Sequence, residues 1–257
     1  MEKIESKENP KIKILKKLSQ KKFRSNYNKF KVESLKVVVD GFRGGVFPEE
    51  LYLAEKIVEK WQKEISFLDS DEKKLLDKIE IYLLNDDLYE KISDLETPEG
   101  ICAVYTPLSS SLKFDQSIIY LNGIADPGNL GTILRTALAF SFHYIVLDQS
   151  CVDLYNPKTI SAAREAIFKL KIVMGDNKTF DEIKKKMLIV VSSLGGTEDL
   201  VCLKKSPICL VLGSESKGIE QGIVDKADFK VKIKISEDIE SLNVSTAGAI
   251  LFYLMSN

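Results

Sequence analysis

The residues that could do chemistry are gathered in three loops, each of which follows an apolar, strand-like run. The first loop, 122–132, contains Asp126-Pro127 and Asn129 and opens a helix that carries Arg135. A glycine turn with a proline and an asparagine cap explains the loop itself. It does not explain Arg135 on a helix whose other face is apolar. Because a helix N-terminus attracts anions, the first loop predicts an anionic ligand.

The second and third loops carry few charges. The second, 213–219, has glycines at both ends of Gly-x4-Gly, but Ile219-Glu220 stands where a phosphate-binding P-loop needs Lys and Ser/Thr. The incomplete P-loop disfavours an ATPase. No G-x-G-x-x-G follows a strand either, which disfavours a dinucleotide-dependent oxidoreductase. In the third loop, 240–247, Ser241 or Asn243 is enough to cap the closing helix.

Composition excludes several classes of protein. The chain has 257 residues, 44% of them apolar and 29% charged, which is typical of a globular protein with one or two domains. No apolar run approaches ~18 residues, and no apolar stretch follows the first charges, so neither a membrane span nor a secretory signal is expected. Four separated cysteines and a single histidine make a zinc site or a disulfide framework improbable and favour the cytoplasm.

Charge is distributed unevenly along the chain. Residues 1–30 hold nine Lys and one Arg against three Glu, a net charge of +7 that leaves −8 on the remainder. This excess predicts contact with a polyanion at the N-terminus, with a solvated helix face as the alternative. Only four basic residues are arginines, so each marks a place where a planar fork can matter. They are Arg24, Arg43, Arg135 and Arg164.

Hydrophobic patterning after residue 115 predicts an α/β fold with a parallel sheet, because strand-like runs alternate with amphipathic helices. The predicted strands are Ile118–Leu121, Tyr144–Leu147, Met187–Val191, Ile208–Leu212 and Val231–Ile235. Earlier residues read as mixed α/β. There we expect a helix over Lys11–Lys22, short strands at Phe30–Val32 and Lys36–Val39, and helices over 51–67 and 71–84.

Together the three loops, in this order and at this spacing, resemble the TrmH/SpoU family of S-adenosylmethionine-dependent RNA ribose 2′-O-methyltransferases, within the SPOUT superfamily. The resemblance covers about residues 115–257. The first hundred residues look like an L30e-like RNA-binding domain. That similarity is carried by short motifs, which are Ser6-x2-Asn9-Pro10, Phe30-x-Val32-Glu33 and Thr97-Pro98-x-Gly100-Ile101.

The resemblance implies an L30e-like domain over 1–107, a linker over 108–114 and a SPOUT methyltransferase domain over 115–257 that contains a trefoil knot. It implies S-adenosylmethionine as cofactor without a metal, RNA as partner and a homodimer formed through the catalytic domain. The closing helix, Asn243–Asn257, is apolar nearly all round, which favours the dimer and predicts that Phe252 faces outward. A helix buried inside its own domain is the alternative.

Family precedent also assigns roles to residues. Arg135 takes the decisive catalytic role, and we prefer it as a clamp on phosphate and developing alkoxide, because guanidinium stays protonated. The expected catalytic set is Arg135, Asn129, Glu215, Ser241 and Asn243. The expected cofactor-binding set is Gly213, Ile233, Leu242, Leu212 and Gly218. Charge at the N-terminus predicts RNA contacts by Lys11, Lys13, Lys17, Lys21, Lys22 and Arg24.

Three functions remain open on the sequence. Ribosomal RNA is the expected substrate because L30e-like domains resemble ribosomal proteins, and transfer RNA is the alternative. The third possibility is a catalytically silent RNA-binding or ribosome-assembly protein on the same fold, against which the complete catalytic set argues. Four residues within 115–257 depart from the family pattern, and none of them belongs to the catalytic set. We expect these departures to affect local loop geometry and the choice of substrate rather than the activity. They are Ser141 and Glu165 in place of Gly, and Lys171 and Lys234 in place of Pro.

Overall fold

A computed structural model describes residues 1–197, 207–214 and 217–256. Cys202 and the expected catalytic residue Glu215 lie outside the described residues. Contacts divide the chain into two compact units. Unit 1 is Met1–Leu108 with Tyr155–Ser161, and unit 2 is Ser109–Leu154 with Ala162–Asn257. The domain limits 1–107 and 115–257 are kept as a proposal.

Unit 1 contains a five-stranded mixed sheet in the order β1-β4-β3-β5-β2. Strands β1, β3 and β4 run parallel, and β5 runs antiparallel to β2 and β3. The elements are β1 (Glu2–Ile4), α1 (Pro10–Lys17), α2 (Lys21–Tyr27), β2 (Phe30–Val32), α3 (Leu35–Arg43), β3 (Glu50–Ala54), a 3-10 turn (Glu55–Ile57), α4 (Val58–Glu64), α5 (Ser70–Leu76), β4 (Glu80–Leu84), α6 (Asp86–Ile92) and β5 (Ile101–Tyr105).

Helices α1 and α2 replace the single helix predicted over Lys11–Lys22. The predicted apolar face is confirmed, since its residues are at most 1% exposed: Ile12, Leu15 and Leu18. Between the two helices the backbone leaves carbonyl groups unpaired. Arg24, only 7% exposed, donates from Nη1 to the carbonyl oxygens of Leu18 and Ser19 at 2.8 Å each. The guanidinium thus ends α1 in the way a cap does.

Other predictions for unit 1 were partly wrong. The valine-rich run Lys36–Val39 is helical, within α3, because a distant carboxylate caps the helix: Glu99 Oε2 accepts from the Leu35 backbone N–H at 2.8 Å. The helix predicted over 51–67 is strand β3 followed by the shorter helix α4. The helix predicted over 71–84 is the short helix α5 followed by strand β4. Strand β2 lies where it was predicted.

Unit 2 contains a six-stranded sheet in the order β11-β9-β10-β6-β7-β8, in which each neighbouring pair is parallel. The elements are β6 (Ile118–Asn122), α7 (Pro127–Ala139), β7 (Tyr144–Asp148), α8 (Pro157–Ala163), α9 (Ala166–Lys169), β8 (Lys171–Gly175), α10 (Asn177–Lys186), β9 (Leu188–Thr197), β10 (Ile208–Gly213), α11 (Gln221–Val224), β11 (Phe229–Val231) and α12 (Val244–Ser256). Most of α8 groups with unit 1.

The predicted fold class is confirmed, a parallel α/β sheet preceded by a smaller α/β unit. Four of the predicted strands are present, as β6, β7, β9 and β10. The fifth, over Val231–Ile235, ends at Val231, and β8 was missed. The threading of the C-terminal segment through a knot stays a prediction.

Helix α12 packs on α7 and β10 within unit 2. The expectation that Phe252 faces outward is wrong. Its ring is 0% exposed and lies 5.4 Å from that of Phe142. The exposed aromatic side chain of this helix is Tyr253, at 57%.

Within the described residues no helix is long and apolar enough to cross a membrane, and no group of three His, Cys, Asp or Glu side chains is placed to hold a metal ion. Of the cysteines that the structure describes, Cys102, Cys151 and Cys209 are free and buried.

Candidate functional site

A pocket of about 540 Å³ lies beside the carboxyl end of β10 in unit 2. The middle of β9, the end of β10, residues 217–219, the segment between β11 and α12, and residues of α11 and α12 form its walls. All five residues expected to bind the cofactor line it: Leu212, Gly213, Gly218, Ile233 and Leu242. Ligands of parallel α/β sheets bind at this edge, so the pocket is where such a fold places its site.

Gly213 and Gly218 allow two stretches of backbone to approach each other closely at the pocket wall. A Cβ on Gly213 would lie 2.5 Å from the backbone carbonyl carbon of Gly218 and 2.5 Å from the backbone nitrogen of Ile219, closer than real contacts permit. Ser214 and Gly218 exchange backbone hydrogen bonds of 3.1 and 2.8 Å. Gly218 has φ +67°, which glycine adopts without strain. The glycines therefore bring backbone donors and acceptors to the surface of the pocket.

Sequence analysis missed part of the lining. Ser192, Ser193 and Lys232 also face the pocket and are half-buried. A usable signal was present, because the two serines follow directly on the apolar run Met187–Val191 that was predicted as a strand. Lys232 stands in the run that was read as a fifth strand. With four further polar residues, these side chains give the pocket a polar side in addition to its apolar walls. The four are Lys217, Gln221, Glu240 and Ser241.

The first and third loops meet through two asparagines. Asn243 Nδ2 donates to Asn129 Oδ1 at 3.0 Å. Each residue also belongs to a helix start, since Asp126 Oδ1 accepts from the Asn129 backbone N–H at 2.7 Å and Asn243 Oδ1 accepts from the Ser245 backbone N–H at 2.9 Å. The N-terminal ends of α7 and α12 are thus held together. Asp126, rather than an asparagine, caps α7.

The remaining expected catalytic residues differ in their surroundings. Arg135 is exposed on α7, six residues or about 9 Å along the axis from Asn129. Among the described residues its guanidinium has neither a hydrogen bond nor an ion pair. Ser241 lines the pocket. The structure therefore joins Asn129 with Asn243, places Ser241 at the pocket and leaves Arg135 available to a ligand.

The expected RNA-binding residues of unit 1 fall into three groups. Lys11 and Lys13 have acidic partners, Glu80 at 2.5 Å and Glu8 at 2.6 Å. Lys17, Lys21 and Lys22 are exposed, and the Lys17 ammonium lies 5.4 Å from the ring centroid of Phe23. Arg24 is the correction: its buried guanidinium binds backbone carbonyls and is not accessible to RNA.

Comparison with known protein families decides the identity. A profile of the SpoU rRNA methylase family matches residues 116–253. The chain belongs to the SpoU rRNA methylase family. A second profile, that of the MRM3-like substrate-binding domain, matches residues 9–103 of this SpoU methylase.

Relatives align with this SpoU methylase along nearly its whole length. The 23S rRNA (guanosine(2553)-2′-O)-methyltransferase RlmP of Bacillus subtilis is 29% identical over 256 residues, which cover 98% of each chain. The AdoMet-bound rRNA methyltransferase from Sinorhizobium meliloti superposes with a TM-score of 0.85 at 23% identity, covering 99% of this chain and 97% of that one. The SpoU methyltransferase AviRb from Streptomyces viridochromogenes, in complex with AdoMet, gives a TM-score of 0.78 at 19% identity and coverages of 96% and 97%.

Membership confirms the resemblance found in the sequence. The SpoU methylase is an RNA methyltransferase that uses S-adenosylmethionine, carried on a two-part chain with a substrate-binding domain first. The pocket fits that cofactor in kind: Gly213, which lacks a Cβ, lets the backbone of Gly218 and Ile219 approach closely at the pocket wall, and Leu212, Ile233 and Leu242 supply apolar walls for a neutral purine.

Proposed function

We propose that this SpoU methylase methylates a ribose 2′-hydroxyl of ribosomal RNA in the cytoplasm. The full-length relationship to RlmP, whose name gives 23S rRNA as its substrate, carries the choice of RNA. The substrate-binding profile over residues 9–103 supports it. Transfer RNA is the alternative substrate for the same chemistry.

The pocket residues hold the cofactor mainly through backbone groups and apolar contact. Gly213 and Gly218 present main-chain donors and acceptors, while Ile233 and Leu242 pack on the base. S-adenosylmethionine supplies, when bound, a methyl group on a sulfonium centre that leaves as a neutral thioether. The protein's own task is therefore alignment of the acceptor hydroxyl and handling of its proton.

Arg135 positions the substrate. Its exposed guanidinium can form two parallel hydrogen bonds to the phosphate beside the target ribose and stabilise negative charge as the hydroxyl loses its proton. Asn129, held by Asn243, keeps a polar side chain at the start of the same helix. Ser241, at the pocket, is placed to contact the methionine part or the ribose. Glu215 keeps its proposed catalytic role from family precedent alone.

Unit 1 binds RNA through the exposed lysines of α1 and α2. Lys16, Lys17, Lys21 and Lys22 carry positive charge in the segment of highest net charge. The ring of Tyr27, 37% exposed, stacks on Phe23 with centroids 6.4 Å apart and offers an apolar face beside these charges. Phosphate contacts of this kind supply affinity without reading sequence.

The working unit is a homodimer formed through α12. Tyr253 is 57% exposed on a helix with mostly apolar side chains, and the neighbouring Ile250, Leu254 and Met255 are only half-buried. A second copy would cover this face. Sedimentation velocity at low micromolar concentration tests it: the wild type should sediment as a dimer, and Tyr253→Glu should sediment as a monomer. A fully active wild-type monomer would overturn the dimer.

Radioactive methyl transfer tests the reaction. Purified protein with labelled S-adenosylmethionine should methylate ribosomal RNA transcripts, and mapping of 2′-O-methyl sites in cellular RNA, with and without the gene, should identify one nucleotide. Methylation of transfer RNA alone would overturn the choice of substrate. Calorimetry that detects no binding of S-adenosylmethionine would favour the silent RNA-binding protein.

A matched pair of glycine variants tests the pocket. Gly213→Ala should abolish binding of S-adenosylmethionine, because its Cβ would meet backbone 2.5 Å away. Gly222→Ala, whose Cβ would find only the Glu220 side chain at 4.0 Å, should bind normally. Equal binding by both variants would place the cofactor elsewhere.

A further inference from the structure

Two buried polar residues face each other at the carboxyl ends of neighbouring strands in unit 2. Asn122 ends β6 and is 5% exposed, and Asp148 ends β7 and is 9% exposed. Asn122 Nδ2 donates to Asp148 Oδ2. Neither residue was selected from the sequence, and neither lines the pocket. Buried polar side chains need such partners, so the pair must exist for a reason that packing alone does not supply.

Asp148 accepts hydrogen bonds from the loop that follows its own strand and from the loop that follows β6. Its Oδ1 accepts from the Gly123 backbone N–H at 3.1 Å and from the Ser150 and Cys151 backbone N–H groups at 3.0 Å each. The Ser150 hydroxyl donates to the same oxygen at 2.7 Å. Among the described residues no cation pairs with this carboxylate. Its negative charge is balanced by hydrogen-bond donors alone, which leaves the second oxygen for the amide of Asn122.

Asn122 connects this cluster to the pocket. Its Oδ1 accepts from the Glu220 backbone N–H at 2.8 Å, across 98 positions of sequence. Glu220 directly follows Gly218 and Ile219, which line the pocket. The amide can serve both neighbours in one orientation only, with nitrogen toward Asp148 and oxygen toward Glu220. A Cβ on Gly123 would also lie 3.5 Å from that of Ser214, so the segments after β6 and β10 are in close contact here.

We propose that Asn122 is a positioning residue, which fixes the pocket wall at 218–220 against the carboxyl end of β7, because its amide accepts from the Glu220 backbone N–H and donates to Asp148. This inference rests on the proposed assignment of the pocket to S-adenosylmethionine. It follows that a carboxylate of the same shape cannot replace the amide. The acceptor toward Glu220 would remain, but the donor toward Asp148 would become a second negative charge.

The other titratable groups around position 122 do not interfere near neutral pH. Burial, together with the Asp148 carboxylate, raises the pKa of Cys151 to about 12. Burial also raises the pKa of Tyr120 on β6 and of Cys209 on β10. Glu220 meets position 122 with its backbone, and its side chain is exposed. A carboxylate introduced at position 122 would therefore interact chiefly with Asp148.

Calorimetric titration with S-adenosylmethionine at several pH values tests the proposal. For Asn122→Asp we expect the dissociation constant at about pH 8 to rise about tenfold or more over the wild type, because two facing carboxylates repel each other. Near about pH 5.5 the pair can share one proton, which restores the donor, so the ratio to the wild type should fall to about threefold. Asn177→Asp, which adds the same charge at an exposed helix start, should follow the wild type throughout.

The exchanged pair Asn122→Asp/Asp148→Asn keeps every hydrogen bond with donor and acceptor reversed between the two side chains. It should bind with near wild-type affinity and without the pH dependence. Wild-type affinity of Asn122→Asp at about pH 8, or failure of the exchanged pair to fold or to bind, would overturn the proposal. Failure of the proposed function looks different, since Gly213→Ala would then bind S-adenosylmethionine as the wild type does.

Discussion

At the level of single side chains, the arginines differ in what their guanidinium groups touch. Arg24 is buried against backbone carbonyls, and Arg43 pairs with Asp40 at 3.3 Å on the surface. Arg164 has φ +53°, the left-handed region that is rare outside glycine. Arg135 has no partner among the described residues. The scarcity of arginine thus identified positions with particular surroundings, but only the structure separates the structural Arg24 from the exposed Arg135.

Replacing Arg135 by lysine should abolish or severely reduce turnover while cofactor binding persists. An ammonium cannot reproduce two parallel hydrogen bonds, and the loss of one such contact in a transition state costs about 3–4 kcal/mol, a few-hundred-fold in rate. Methyl transfer under single-turnover conditions measures the loss, and calorimetry measures binding. Arg43→Lys, on the surface of unit 1, is the matched control. Turnover of Arg135→Lys near the wild-type value would refute the assigned role.

Backbone conformation at one residue explains a departure from the family pattern. Ser141 replaces a glycine that family members often have, and it adopts φ +63° at the second position after α7. A left-handed residue costs roughly 1–2 kcal/mol when it carries a Cβ. The expectation that this substitution affects local geometry therefore has a physical basis: the chain keeps the turn and bears the strain.

At the level of elements, prediction succeeded where burial is symmetric. Strands β6, β7 and β10 are covered on both faces and read as continuous apolar runs, which a sequence shows directly. Strand β8 lies at the edge of the sheet, where Met174 is 57% exposed, and its pattern gave no clear signal. Helix α3 was taken for a strand because its cap comes from Glu99, 64 residues away in sequence.

The candidate site was predicted to a similar extent. Topology brings the carboxyl ends of parallel strands to one edge, so residues chosen from three separate loops gather around one pocket or meet beside it. Asn122 and Asp148 escaped prediction because their partners are set by tertiary structure, as the bond from Glu220 shows. A polar residue that ends a buried strand is the signal that would have found them.

The close approach of β9 to β11 can be tested with adjacent glycines. A Cβ on Gly196 would lie 2.5 Å from the backbone carbonyl carbon of Val231, whereas one on Gly195 would meet nothing within 4 Å. Gly196→Ala should lower the free energy of unfolding by about 2–3 kcal/mol, because the strand cannot yield without losing its pairing. Gly195→Ala should stay within about 0.5 kcal/mol. Urea unfolding curves decide, and equal stability of the two variants would contradict the described packing.

Helices α1 and α2 should determine the salt dependence of RNA binding. Replacing Lys21 and Lys22 by glutamine should flatten the slope of log affinity against log salt by about 1.5 units, because each phosphate contact that is lost lowers the number of counterions released when RNA binds. In the control, Lys56 and Lys74 are replaced by glutamine. Both of these lysines form ion pairs with acidic side chains, and their replacement removes the same net charge. Filter binding over a range of salt concentrations gives both slopes, and identical slopes would place the RNA elsewhere.

For the whole molecule, the important feature is that unit 1 takes up a segment from the second half of the chain. Tyr155 stacks on Phe30 with ring centroids 4.0 Å apart, and the Leu108 backbone N–H donates to its hydroxyl at 3.1 Å. In the same segment Thr159 is 0% exposed and Ile160 is 4% exposed. A single cut between the proposed domains therefore does not separate the two units cleanly.

A fragment that starts near residue 112 should still bind S-adenosylmethionine, because the pocket lies in unit 2, but it should bind RNA weakly. In the full chain, Tyr155→Ser should lower the free energy of unfolding by about 2–4 kcal/mol, the value of a lost aromatic contact and its burial. In the fragment, which lacks Phe30, the same substitution should have little effect. Calorimetric melting of the four proteins measures the difference, and equal losses in both backgrounds would contradict the assignment of Tyr155 to unit 1.

The segment Tyr155–Ser161 also dictates an order of events during translation. The main part of unit 1 ends at Leu108, yet its remaining side chains are synthesised roughly 50 residues later. At about 5–20 residues per second, the nascent N-terminal half waits about 3–10 s on the ribosome with the face of Phe30 uncovered. Completion of the first core therefore follows the synthesis of β6 and β7 and precedes the synthesis of β8, β9 and β10. The two halves of this chain thus mature together rather than one after the other.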